Sequence, residues 1–185
     1  AGARPEILGI VRDDYASLAQ AMRDALPRVD MLIVSGGSSI GVRDFAREAI
    51  DSLGKPGVLV HGVAVKPGKP TLFGSAQGKP VFGLPGNPVA AYFMFHLLAR
   101  PLIASMLGAE LNDRRVSVPI ARAVPSNHGR EEYVPVMLKD GEAHPIASKS
   151  GLITTLARAD GFIVIPRDKE GVPSGELVEV TILAR

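Results

Sequence analysis

The chain has 185 residues, of which 46% are hydrophobic, carries a formal net charge of +2 and contains no cysteine. That is enough to bury one full core and to divide into a medium and a small domain, while disulfides, thiolate metal sites and cysteine nucleophiles are excluded. The 21 basic residues are scattered rather than massed on one face, which argues against a general nucleic-acid or polyanion binder. No apolar run is read as long enough to span a membrane, and the first residues lack the charged and apolar regions of a signal peptide. A cytoplasmic protein with no membrane or nucleic-acid partner is expected.

In chain order, "EILGIV" at 6–11 predicts a strand. "DYASLAQAMRDAL" then predicts a helix, with Leu18, Ala21, Met22, Ala25 and Leu26 at helical spacing. The unit repeats. "VDMLIV" at 29–34 is a second strand that stops at "SGGSSIG", and "VRDFAREAIDSLG" a second helix with Phe45, Ala49, Ile50 and Leu53 on one face. "VLVHGVAV" at 58–65 and "KPVFGLP" at 79–85 supply two more strands, and "GNP" leads into the long helix "VAAYFMFHLLARPLIASMLG". Strands apolar on both faces and alternating with helices predict a three-layer α/β/α domain with a mainly parallel sheet over residues 1–113.

From about residue 114 the character changes. "RVSVPIARAV", "EEYVPVMLKD", "EAHPIAS", "GFIVIP" and "ELVEVTIL" are short β-branched segments separated by Gly, Pro, Asn and Asp turns, which predict a small β-barrel domain over 114–185. "SGLITTLARAD" at 150–160 reads as a short helical turn between strands.

In a parallel sheet, ligands gather where strands end and helices begin, because helix amino termini present unpaired N–H groups there. The candidates are therefore the polar residues after each apolar run. These are Asp13 and Asp14; then Ser35, Gly36, Gly37, Ser38, Ser39 and Gly41, with Asp44 opening the helix; then Lys66 and Lys69; then Pro85, Gly86, Asn87 and Pro88. Carboxylates are hard ligands for Mg²⁺, glycines let a backbone approach a phosphate, and lysines neutralise an oxyanion. Together they point to metal-assisted chemistry on a phosphate-bearing substrate. Each piece also has a plain structural reading: Asp13 and Asp44 as helix caps, the glycines as a tight turn, and the lysines as solvated charges. His61 and His96 have no partner at metal-ligand spacing. Ser38 and Ser39 lack the G-x-S-x-G elbow of a hydrolase, and no P-loop pattern is present.

"SGGSSIGVRDF", "HGVAVKPGKPTLFG" and "VFGLPGNPV", in this order and spacing, resemble the molybdopterin molybdenumtransferases, the family of MoeA and the gephyrin E-domain. The resemblance covers nearly the whole chain and implies most of the family's central molybdopterin-binding domain followed by its carboxy-terminal β-barrel. It implies conversion of adenylylated molybdopterin and molybdate, with Mg²⁺, to molybdenum cofactor and AMP. It also implies a homodimer and an upstream molybdopterin adenylyltransferase. By the same resemblance Asp44 and Asp13 would hold the metal and act in cleavage of the adenylyl bond. Lys66, Lys69, Arg130 and Ser150 would bind molybdate, and the glycine-rich loop with Pro85–Pro88 would line the pterin-phosphate pocket.

Three departures accompany it. Ala90 stands where the family commonly has Ser, and Gly62 where many members have Lys. The chain also starts at what would be the family's second central-domain strand, as a fragment would, and a fragment is not expected to be fully active by itself. A non-catalytic cofactor-binding or scaffold module is the alternative, and an enzyme acting on another phosphorylated small molecule is a third reading.

Overall fold

The computed structural model describes residues 1–36, 45–146 and 154–183. The chain divides into two compact units, Ala1–Val63 with Gly68–Ala109, and Ala64–Pro67 with Glu110–Arg185.

The first unit begins without a strand. Residues 1–12 take no regular structure, and Ile7 and Ile10 are 89% and 104% exposed. The strand expected at 6–11 is therefore not formed, because an apolar run becomes a strand only when a neighbour pairs its backbone, and no described residue does so. Helix α1 (Tyr15–Ala25) follows, opened by Asp14 and continued by a short 3-10 turn, Leu26–Arg28. Strand β1 (Leu32–Ser35) and helix α2 (Phe45–Ser52) come next.

The run expected as one strand over 58–65 is broken in two. Strand β2 (Pro56–His61) ends at Gly62, whose φ of +91° is left-handed, and strand β3 (Val65–Lys66) pairs within the second unit. Backbone bonds from Gly62 N–H to the Thr71 carbonyl (2.8 Å) and from Val63 N–H to the Lys69 carbonyl (3.0 Å) turn the chain back. It continues as strand β4 (Leu72–Ala76), which the sequence reading did not anticipate, and strand β5 (Lys79–Leu84). Gln77 and Gly78, both at positive φ, join β4 to β5, as the two central residues of a type I′ hairpin must.

The sheet order is β1-β5-β4-β2. β1 and β5 are parallel, with Ser35 opposite Leu84, while β5–β4 and β4–β2 are antiparallel. The α/β class holds, and its sheet is mixed. On one face, Ala19, Met22, Ala25 and Leu26 of the α1 region and Ala46, Ala49 and Ile50 of α2 bury against Leu72, Ala76 and Val81. Phe82 follows Val81 and so faces the other way, with its ring 4.9 Å from that of Phe73.

Helix α3 (Pro88–Met94) packs against β5. It runs through a π-helical stretch, Phe95–Ala99, into helix α4 (Arg100–Met106). Pro101 accounts for the irregularity: it has no N–H for the carbonyl four residues back, and its ring would collide with a regular turn. The whole stretch Pro88–Met106 reaches the length and hydropathy of a membrane span, with a mean hydropathy of 1.4, contrary to the expectation that no apolar run does. Within it Phe93, Met94, Ala99, Ile103 and Ala104 are buried, and 39% of the apolar window is buried inside the protein.

The second unit is β-rich. It contains β3, β6 (Arg115–Pro119), β7 (Val124–Pro125), β8 (Glu131–Lys139), β9 (Glu142–Pro145), helix α5 (Thr154–Arg158), β10 (Gly161–Ile165), β11 (Gly171–Val172) and β12 (Leu177–Ile182). The main sheet runs β3-β8-β10-β12-β6, with β9 also on β8 and the pair β7–β11 separate. Asp140 and Gly141, both at positive φ, make the β8–β9 hairpin. A bridge between Ile120 and Ala143, backed by a bond from Ala121 N–H to the Ala143 carbonyl (2.9 Å), brings the end of β6 back to β9. The sheet thereby curls toward a barrel around Ile120, Val136, Ala143, Ile163, Ile165 and Val180. α5 is the helical turn expected between strands.

Candidate functional site

In the first unit the site is a rim. Because β1 and β5 are parallel and adjacent, their carboxyl ends deliver two loops to the same edge. Gly36 N–H donates to the Leu84 carbonyl (3.1 Å), and Ser35 Oγ donates to the Pro85 carbonyl (3.3 Å). Gly36 has φ +98°, and a Cβ added to Gly86 would lie 3.5 Å from the Gly36 Cα. Two loop backbones therefore meet with almost no side chain between them. Ser35, Gly36, Pro85 and Gly86 are brought together as expected, but the Ser35 hydroxyl is already donated to the other loop.

Asn87 and Pro88 continue from this rim into α3. Asn87 Oδ1 accepts the N–H groups of Val89 (3.0 Å) and Ala90 (3.2 Å), and Pro88 occupies the first helical position. Asn87 is thus an N-cap that satisfies two orphan donors. Ala90 is only 4% exposed, so the position where a hydroxyl was expected is a buried methyl.

At α1 the cap is Asp14 and not Asp13. Asp14 Oδ1 accepts from Ser17 N–H (2.8 Å) and Oδ2 from the Ser17 hydroxyl (2.9 Å). The Ser17 N–H bond, then that hydroxyl, hold the Asp14 carboxyl below its ordinary range. Asp13, next to it, is exposed and is not used for the cap. Among the described residues no three His, Asp or Glu side chains are grouped to hold a metal. Gly37, Ser38, Gly41, Asp44 and Ser150 lie outside the described residues.

The K-P-G-K-P motif is divided between units, since Ala64–Pro67 belong to the second and Gly68 onward to the first. Gly68 is buried at φ +139°, and a Cβ there would come within 2.7 Å of three Met94 atoms. Lys69 is exposed.

In the second unit β3 runs parallel to β8, with Val65 opposite Glu131 and Lys66 opposite Glu132. Arg130 immediately precedes β8. Glu132 and Lys66 are register partners and therefore stand on one side of the strand pair. Lys66 Nζ lies 2.8 Å from Glu132 Oε1, and the Ser126 hydroxyl donates to Glu132 Oε2 (2.7 Å). Tyr133 faces the opposite way, where burial, followed by its bond to Glu131, raises its pKa far above the ordinary phenol value. It stays protonated near neutrality. The structure thus brings Lys66 to the Glu132 carboxylate and, through it, to the Ser126 hydroxyl, neither of which sequence reasoning assigned, while Arg130 lies two residues before Glu132 in the bend that leads into β8. Nothing in the sequence pairs Glu132 with Lys66.

Comparison with known proteins gives matches over most of the chain. Residues 1–105 match the family described as "Probable molybdopterin binding domain", and residues 117–183 match the "MoeA C-terminal region (domain IV)". A Methanocaldococcus jannaschii protein named for molybdopterin biosynthesis is 39% identical over 98% of this chain and 44% of its own length. The Bacillus subtilis molybdopterin molybdenumtransferase is 33% identical over 99% and 44%. The crystal structure of a molybdopterin biosynthesis MoeA protein from Pyrococcus horikosii superposes with a TM-score of 0.82 at 39% identity, over 95% of this chain and 42% of that one. The chain spans less than half the length of the curated relatives it matches. It belongs to the molybdopterin-binding-domain family and carries a MoeA C-terminal region after that domain.

Proposed function

We propose that this chain serves molybdenum cofactor biosynthesis as the catalytic portion of a molybdopterin molybdenumtransferase. Its substrates are adenylylated molybdopterin and molybdate, and its products are molybdenum cofactor and AMP. The observation that carries this reading is the β3–β8 register. It pairs Lys66 with the strand that Arg130 leads into, from a distant part of the sequence, and two cations suit a tetrahedral dianion. The Gly36–Gly86 rim adds a surface of backbone suited to the phosphate and pterin portion.

Cleavage of the adenylyl bond places charge on the bridging oxygen, and catalysis is then mostly positioning and charge stabilisation. A water attacks phosphorus, the P–O bond of the anhydride breaks, and AMP leaves. Lys66, Lys69, Arg130 and Ser150 bind and orient molybdate. Asp13 and Asp44 would hold Mg²⁺, which supplies charge neutralisation when bound. The donor set is of the right kind, because Mg²⁺ needs only one or two carboxylates beside phosphate oxygens and waters, and Asp14 leaves Asp13 free of the capping role. A homodimer and delivery of substrate by a molybdopterin adenylyltransferase belong to the same proposal.

AMP release measured against molybdate concentration in the full-length protein tests this. Saturable, molybdate-dependent release is expected, and none with intact folding would refute it. The buried methyl of Ala90 favours a second reading, a molybdopterin-binding or scaffold module without turnover. That module would bind molybdopterin yet release no AMP.

A further inference from the structure

We infer that Glu132 is the positioning residue for Lys66 in the oxyanion site, an inference that rests on the function proposed above. The Glu132 side chain is only 13% exposed, against 50% for Lys66. A carboxylate taken that far from water is stable only if its oxygens are bonded. Both are: Oε1 faces Lys66 Nζ at 2.8 Å, and Oε2 accepts the Ser126 hydroxyl at 2.7 Å. Ser126 is itself tied down by its N–H bond to the Glu170 carbonyl (2.8 Å), and the Glu132 backbone is paired to Lys66 on one side and Ile165 on the other. The carboxylate is therefore a fixed point and the lysine the mobile partner.

A free lysine head samples many rotamers, and ordering it on arrival of an anion weakens binding. Holding it beforehand removes that cost. An ammonium has three N–H donors. One directed at Glu132 leaves two for an oxyanion. Position and charge then act in opposite directions, since Glu132 steers Lys66 but its negative charge opposes a dianion.

That opposition makes the role testable by calorimetric titration of molybdate into the full-length protein. Lys66→Ala should bind about tenfold more weakly and Glu132→Ala about fivefold more weakly. Glu132→Gln should bind at least as tightly as the parent, because its Oε1 still accepts from Lys66 and its Nε2 can donate to Ser126, while the charge is gone. A loss of packing alone would not be rescued in this way. Ser126→Ala, which frees one carboxylate oxygen, should weaken binding about twofold. Parent-like binding by Glu132→Ala beside weakened Lys66→Ala overturns the inference and leaves the anion site standing. If Lys66→Ala also binds like the parent, the anion site itself is wrong and the inference falls with it. Should Glu132→Ala not fold, a Glu132→Gln that binds more weakly together with a parent-like Ser126→Ala overturns the role.

Discussion

The two units use polar residues in opposite ways. In the first, several described polar side chains are consumed by the fold: Ser35 ties one loop to the other at the rim, Asn87 caps α3 and Asp14 caps α1. On the β3–β8 edge of the second, backbone groups are paired by the strands, and the side chains of Lys66, Glu132 and Ser126 meet one another instead. Loops that open helices must satisfy orphan N–H groups, so Ser35, Asn87 and Asp14 are committed there, and among the described residues the Gly36–Gly86 rim offers backbone. A paired strand has no such debt, and its side chains are left for recognition.

Four experiments would break or sharpen this contrast. Gly68→Ala should be the most damaging, because it combines a left-handed φ with overlap against Met94. A loss of about 3 kcal/mol in urea unfolding is expected, and a loss below about 1 kcal/mol would show that Met94 gives way. Lys66→Ala should raise the half-saturating molybdate concentration about tenfold, close to 1.4 kcal/mol. It should also cost about 1 kcal/mol of stability, because Glu132, only 13% exposed, loses the cation on its Oε1. Asn87→Ala should cost about as much stability through the lost cap but leave molybdate affinity unchanged. A matching loss of affinity would mean that the rim also binds by side chain.

The smallest effect is expected at Asp14. Its folded-state pKa is lowered, so its cap contributes above the unfolded-state value and is lost as pH falls through the folded-state value. Asn caps as well and does not titrate. Asp14→Asn should therefore match the parent at neutral pH and lose less stability on acidification below about pH 4, as read from unfolding midpoints across that range.

Much of the architecture was legible because it is local. The α1 and α2 patterns produced buried Met22, Ala25, Ala49 and Ile50, and the turn-punctuated β segments produced β6, β8, β9, β10 and β12. What escaped depended on partners. "EILGIV" has strand composition, but no described neighbour pairs with it; the 58–65 run was split by the left-handed Gly62. Strand β4 could have been found from the Gln77–Gly78 dipeptide, the same signal that Asp140–Gly141 gives more strongly. At the site, Asp13 and Asp14 differ by one residue, and only the Ser17 bonds say which is the cap. Glu132 was hidden for another reason. Its partner Lys66 lies 66 positions earlier in the chain, and parallel register over two residues leaves no trace in the local pattern.

The reaction itself decides the matter most directly. AMP released from adenylylated molybdopterin by the full-length protein should rise with molybdate and saturate, with Lys66→Ala and Arg130→Ala each shifting the curve to higher molybdate. Release that is indifferent to molybdate, or curves that neither substitution moves, would contradict an anion site on the β3–β8 edge.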